Sequence, residues 1–109
     1  MPHLDLAQMS QSFAAIARQQ GWVSLHSPKS LACALSVEAG ELLRLFQWQS
    51  ETADHAAAAA PERLAVAGEL ADILLYANAL ADQLDIDLAE AVRQKCAANQ
   101  RRFGAGDGD

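Results

Sequence analysis

The sequence predicts an all-α protein, a helical bundle of four main helices. Alanine, leucine, glutamine and glutamate dominate the composition, and these residues favour helices. Runs of valine, isoleucine and threonine with period two, which would indicate strands, are missing. With 109 residues, of which 51% are hydrophobic, the chain can form one domain with a modest core. We expect this domain to cover residues 1–103 and residues 104–109 to form a flexible tail.

The first helix is predicted from about Asp5 to Gln20. Gly21 is a suitable C-terminal stop, because glycine readily adopts the left-handed conformation found there. One side of this helix is apolar, which indicates a structural role; its members are Leu6, Met9, Phe13, Ile16 and Ala17.

The second helix is predicted to begin at Ser27 and Pro28 and to extend to about Gln49. Serine can cap a helix, and proline is tolerated at the first helical position because its missing N–H is not needed there. At about 100° per residue, Glu38 lies within a narrow stripe of leucines, with Glu41 along one edge. The stripe consists of Leu31, Leu35, Leu42 and Leu45, and Trp48 follows the same edge as Glu41. The carboxylate of Glu38 therefore points inward.

An inward carboxylate needs a physical explanation. An ionised carboxylate in an apolar setting costs several kcal/mol unless it is paired or bound to a cation. An internal salt bridge is one explanation, and the basic residues best placed for it are Lys29, Arg63 and Lys95. A bound cation is the other explanation.

The third helix is predicted from about Glu62 to Leu84, after a loop over residues 50–60 and a restart at Pro61. We expect a broad apolar face made of Val66, Leu70, Ile73, Leu74, Ala77, Leu80, Ala81 and Leu84. An adjoining flank carries Glu69, Asp72 and Tyr76. On spacing alone, the two acids are equally compatible with a solvated surface.

The fourth helix is predicted to open at Asp87, with Glu90 at capping-box spacing, and to extend to about Arg102. Lys95 and Asn99 are expected on its inner stripe, which is otherwise apolar and made of Leu88, Val92 and Phe103. A lysine on such a stripe either extends into solvent or meets a phosphate.

The composition argues against several classes of protein. A net charge of -6 disfavours binding to nucleic acid, which requires a surplus of lysine and arginine on one face. Cys33 and Cys96 lack partners at metal-ligand spacing, so we expect two reduced, mostly buried thiols. No signal peptide opens the chain, and no apolar run approaches about 20 residues. We therefore expect a cytoplasmic protein that does not contact a membrane.

Four carboxylates in two apolar helices specify hard oxygen ligands; they are Glu38, Glu41, Glu69 and Asp72. Without an inward cluster of histidines or thiolates, this donor set favours Mg²⁺, with Mn²⁺ as a substitute, over zinc. It suits a Mg-triphosphate substrate, with a metal-bound or carboxylate-activated water as nucleophile. A di-iron bundle is the nearest competitor, but such bundles normally contain Glu-x-x-His pairs.

Five separated blocks of the sequence agree in order and spacing with a known pattern. They are His26-Ser-Pro-Lys29-Ser-Leu, Glu38-Ala-Gly-Glu41-Leu-Leu, Leu45-Phe-Gln-Trp48, Glu69-Leu-Ala-Asp72-Ile-Leu-Leu-Tyr76 and Lys95-x-x-x-Asn99-x-Arg-Arg. In these blocks the chain resembles the all-α nucleoside triphosphate pyrophosphohydrolases of the MazG-like superfamily, and more narrowly their dCTP pyrophosphatase branch. The likeness covers residues 22–103.

The resemblance implies hydrolysis of a nucleoside triphosphate to the monophosphate and pyrophosphate. It assigns the four carboxylates to Mg²⁺, with Glu38 and Glu41 as the candidate catalytic residues. The substrate-binding set that it implies is Trp22, His26, Lys29, Trp48, Tyr76, Lys95, Asn99 and Arg102. Of these, the tryptophans and the histidine would line the base and sugar pocket, and the tyrosine, Lys95 and Asn99 would contact sugar or phosphates. The expected substrate is dCTP or a modified pyrimidine deoxynucleotide.

Two other functions are compatible with the sequence. A phosphoribosyl-ATP pyrophosphatase-like enzyme would share the acids but would not need the pocket of Trp22, His26 and Trp48. A non-enzymatic helical interaction module would owe its acids to salt bridges. So many apolar stripes on a short chain also favour a homo-oligomer, either a dimer or a tetramer, and the resemblance supports the tetramer.

Overall fold

The computed structural model describes residues 3–22, 27–48 and 63–104. These ranges contain four helices, α1 (Leu6–Gln20), α2 (Pro28–Arg44), α3 (Arg63–Gln83) and α4 (Leu88–Phe103), and no strand. The all-α prediction is therefore confirmed for the part of the chain that is described. The predicted loop over residues 50–60, the restart at Pro61 and nearly all of the predicted tail lie outside these ranges.

Local capping signals set the helix bounds. The side chains of Asp5, Ser27 and Asp87 accept hydrogen bonds from backbone N–H groups three residues later, at 3.0–3.1 Å. Gly21 ends α1 in the left-handed conformation, with φ of 72°. The second helix ends earlier than predicted, at Arg44, and a turn occupies residues 45–48.

The helix α3 is the centre of the bundle, because it packs against both α2 and α1. Within residues 3–22, 27–48 and 63–104, the buried apolar side chains are few and mostly small: Ala17, Leu31, Ala79 and Ala81. Asn78 is buried among them, and its amide nitrogen donates to the Leu6 carbonyl at 3.1 Å and to Ser10 Oγ at 2.9 Å. These two hydrogen bonds attach α1 to α3.

Several packing predictions are wrong for the single chain. On α3, the predicted apolar face leaves Leu70, Leu74 and Leu84 about half exposed, while the flank that carries Glu69 turns toward α2. The apolar residues of α3 surround the helix, so the sequence pattern does not identify the side that faces its neighbours. Neither cysteine is buried; Cys33 and Cys96 are both free and exposed.

The fourth helix packs less than predicted. None of its residues is buried, and Val92 and Phe103 are more than half exposed. Lys95 and Asn99 are likewise exposed rather than placed on an inner stripe. Among the described residues, this helix therefore contributes little to the buried core.

By length and composition alone, α3 could also cross a membrane, with a mean hydropathy of 1.5. This differs from the expectation that no apolar run has the necessary length. However, Glu69 and Asp72 interrupt its apolar surface, and intramembrane carboxylates are energetically costly. The packing of α3 against two other helices accounts for part of its apolar character.

Candidate metal centre and adjoining pocket

Three carboxylates converge where α2 packs on α3. One oxygen from each of Glu38, Glu69 and Asp72 lies within 4.8 Å of the others. Glu69 and Asp72 are three residues apart on α3 and so share one side of the helix, which faces Glu38 on α2. The packing of two helices therefore brings together three of the four predicted metal ligands.

The three acids fit a divalent cation by their electrostatics. A hydrogen bond to Glu69, partial burial, and the charges of Glu69 and Glu41 raise the pKa of Glu38. Glu69 has a buried Oε1 atom with no hydrogen-bond partner among the described residues. The raised pKa of Glu38 follows from two carboxylates that face each other, because the charge of one disfavours ionisation of the other. All-oxygen ligation of this kind suits Mg²⁺ or Mn²⁺.

Glu41 lies one helical turn after Glu38 but outside this group of three. Its Oε1 accepts a hydrogen bond from Arg44 at 3.2 Å, and both side chains are well exposed. Exposed ion pairs of this kind contribute little free energy, so the pair does not hold Glu41 away from a cation. The assignment of Glu41 as a ligand stays a prediction.

A pocket of about 490 Å³ adjoins the carboxylates, and its lining includes Trp22, Lys29 and Tyr76. Tyr76 connects the two features. Burial and the charges of Glu38 and Asp72 raise the pKa of the Tyr76 phenol, so this wall of the pocket experiences the field of the acidic cluster. The neutral phenol retains its proton and can donate a hydrogen bond. The pocket therefore combines aromatic surfaces, one ammonium group and a nearby acidic cluster.

Of the other predicted substrate-binding residues, the four that the structure describes do not line this pocket. Trp48 lies in the turn after α2 and is 90% exposed. Lys95, Asn99 and Arg102 are exposed on α4, where the Arg102 guanidinium lies 4.8 Å from the centroid of the Phe103 ring. His26 lies outside the described residues. The roles of these five residues stay predictions.

Sequence reasoning missed two features of the pocket. Ser30, Cys33 and Ala34 also line it, and Cys33 follows Lys29 by one helical turn, so a helical wheel centred on Lys29 could have identified it. Phe13 of α1 contacts Tyr76 edge-to-face, with ring centroids 5.6 Å apart. No sequence signal indicates that contact, because it depends on how α1 packs.

The fold and this site define a class of protein, an all-α bundle with a helix-borne carboxylate cluster beside a pocket. The chain belongs to the MazG-like family, whose profile matches residues 33–109. It is 39% identical over 103 residues to mouse dCTP pyrophosphatase 1, and 37% identical over 105 residues to the human protein of that name. These alignments cover 94% and 95% of the chain but only 61% and 62% of the relatives, so the chain spans about three fifths of their length.

A solved structure shows the same fold. The crystal structure of a pyrophosphatase from Archaeoglobus fulgidus aligns with a TM-score of 0.80 and 31% sequence identity. The alignment covers 95% of this chain and 96% of the archaeal one. The predicted MazG-like all-α fold is thus confirmed.

Proposed function

We propose that this protein hydrolyses a nucleoside triphosphate to the monophosphate and pyrophosphate. The observation that carries the proposal is the convergence of Glu38, Glu69 and Asp72 beside a pocket that has aromatic walls. The relatives named dCTP pyrophosphatase 1 support the same reaction class. The substrate that we favour is dCTP or a modified pyrimidine deoxynucleotide, which would place the protein in nucleotide-pool sanitation.

Each part of the site has a distinct task in this reaction. Glu38, Glu69 and Asp72, joined by Glu41, would hold Mg²⁺, which supplies charge neutralisation for the phosphates. Glu38 or Glu41 would accept the proton of the attacking water. The rings of Trp22 and Tyr76 offer surfaces on which a base can stack, and Lys29 offers positive charge to a phosphate.

The direct test measures pyrophosphate release from canonical and modified nucleotides, with Mg²⁺ and with a chelator. We expect release only with the metal, and fastest release from a cytosine deoxynucleotide. Phosphoribosyl-ATP belongs in the same panel, because preference for it would assign the related activity instead. If no substrate releases pyrophosphate and Mg-nucleotide leaves the melting temperature unchanged, the protein is a helical interaction module.

Trp48→Ala is expected to raise KM about tenfold, because stacking on a base contributes roughly 1–3 kcal/mol. The melting temperature should change little, since the side chain is 90% exposed. Trp48→Phe keeps an aromatic face and serves as the control, with a KM near that of the wild type. A lower melting temperature at unchanged KM would instead assign Trp48 to packing.

The exposed apolar surface supports assembly into a homo-oligomer, either a dimer or a tetramer. The half-exposed leucines of α3 and the exposed apolar side chains of α4 would both be covered by further copies of the chain. A second copy also offers a way for Lys95, Asn99 and Arg102 to approach a pocket that they do not reach within one chain. These side chains carry positive charge or hydrogen-bonding groups, which suit the phosphates of a substrate beside an acidic cluster.

Leu74→Glu is expected to dissociate the oligomer, because it places a charge on half-exposed apolar surface. Light scattering should then move toward the 11.6 kDa of one chain. Leu4→Glu, at a side chain that is 65% exposed before α1, makes the same change and should leave the mass unaltered. A wild-type mass equal to one chain would contradict the assembly.

A further inference from the structure

The contact between Phe13 and Tyr76 connects the first helix to the pocket. The two rings meet edge-to-face, with centroids 5.6 Å apart and planes at 77°. In this arrangement the positive edge of one ring meets the negative face of the other, which contributes attraction beyond the area that the rings bury. The contact therefore favours one orientation of the Tyr76 ring.

The orientation of Tyr76 matters because of its position. Its ring forms part of the pocket wall, and its hydroxyl lies within the field of Glu38 and Asp72. Tyr76 follows Asp72 by four residues on α3, so it lies one turn from the acidic cluster on the same side of the helix. A rotation of this ring would change both the shape of the pocket and the place of its hydrogen-bond donor.

The backbone of α1 is well placed to hold Phe13 against that ring. Asn78 of α3 binds the Leu6 carbonyl and Ser10 Oγ, and Ser10 precedes Phe13 by one helical turn. Asn78 is only 4% exposed, so these hydrogen bonds are protected from water. The Phe13 ring is thus presented from an anchored segment of helix.

We propose that Phe13 is a positioning residue for the nucleotide pocket, which acts by fixing the ring of Tyr76. The nucleotide part of this inference rests on the proposed function, whereas the ring contact does not. Phe13 need not touch the substrate; it determines whether Tyr76 presents its face and hydroxyl to the pocket in one orientation.

The ring contact can be tested without turnover, because Tyr76 is the only tyrosine of the chain. In protein labelled at tyrosine, NMR gives one set of ring resonances. Phe13→Leu should shift these resonances, since it removes the neighbouring ring current. Ser10→Ala is the matched control; it removes one hydrogen bond of Asn78, whereas the bond to the Leu6 carbonyl still attaches α1 to α3, so the Tyr76 resonances should stay nearly in place. Unchanged resonances in Phe13→Leu would overturn the proposal.

Kinetics then separate positioning from general stability. Phe13→Leu should raise the KM for the nucleotide roughly 2- to 10-fold, the range expected from one aromatic pair, with a smaller change in kcat. Phe13→Tyr should restore the wild-type KM, because the ring is kept and the adjoining cleft of about 280 Å³ can hold a hydroxyl. An equal rise in KM for Phe13→Leu and Ser10→Ala would mean that Phe13 only stabilises the fold.

Pyrophosphate release tests the proposed activity, and dCMP binding tests the role of Phe13 separately. If the wild type releases no pyrophosphate from any nucleotide, the proposed activity fails. Titration with dCMP still reports on Tyr76 in that case, through the same ring resonances. Weaker dCMP binding in Phe13→Leu than in Ser10→Ala would support the positioning role, and equal binding or no binding would overturn it.

Discussion

Glu38→Gln is expected to lower kcat by roughly 100-fold or more and to raise the melting temperature of the metal-free protein. Turnover falls while the metal-free protein becomes more stable, because the Glu38 carboxylate would bind the metal but repels Glu69 when no metal is bound. In the metal-free protein it faces Glu69, whose buried Oε1 has no hydrogen-bond partner in the described part of the chain. A neutral amide removes the repulsion and can donate a hydrogen bond to that oxygen, but it is a poorer ligand for Mg²⁺.

The measurement pairs pyrophosphate release with thermal melts of the same samples. Asp82→Asn is the matched control, since it neutralises one exposed acid at the far end of α3, away from the cluster. It should leave both turnover and the response to Mg²⁺ unchanged. Wild-type turnover in Glu38→Gln would refute the assigned metal site, and a large fall in melting temperature would show that Glu38 has a structural partner.

The starts of α1, α2 and α4 could be predicted because their signals are local. Asp5, Ser27 and Asp87 each cap the helix that follows through a bond to a residue three positions later, so the sequence alone contains both partners. The inward direction of Glu38 was also predictable, since α2 has one narrow apolar stripe. Local chemistry and a single clear periodicity are sufficient for such features.

The packing of α3 could not be predicted in the same way. Its apolar residues surround the helix, so periodicity does not distinguish the side with Glu69 from the side with Leu70 and Leu74. The choice depends on how α1 and α2 pack against α3. The same limit explains why the contact of Phe13 with Tyr76 was missed, because its two partners lie on different helices.

The placement of Glu41 shows a further limit of spacing arguments. Three-residue spacing puts Glu38 and Glu41 on one side of α2, as predicted. In the structure, however, the Glu41 side chain turns to Arg44, and Glu38 turns to the acids of α3. Spacing along a helix identifies side chains that share one side of it. Nearby charges then determine which partner each side chain contacts in the metal-free protein.

The second large effect is a change in melting temperature that depends on both pH and Mg²⁺. The folded protein raises the pKa of Glu38 above the ordinary value of 4.5, so the folded state binds this proton more tightly than the unfolded state does. The resulting stabilisation is fully present below the ordinary pKa and is lost as the pH rises through the higher folded pKa. In a chelator, the melting temperature of the wild type relative to that of Glu38→Gln should therefore fall as the pH increases.

Addition of Mg²⁺ should reverse this trend, because a cation replaces the proton between the carboxylates and binds the folded state only. At a concentration about 100 times Kd, the expected stabilisation is roughly 2.7 kcal/mol, which for a domain of this size corresponds to a rise of more than ten degrees. Mn²⁺ should act similarly, and Glu38→Gln should respond weakly. A wild-type melting temperature that is the same with Mg²⁺ and with chelator above neutral pH would contradict the site, because crowded carboxylates that gain nothing from a divalent cation do not form a metal centre.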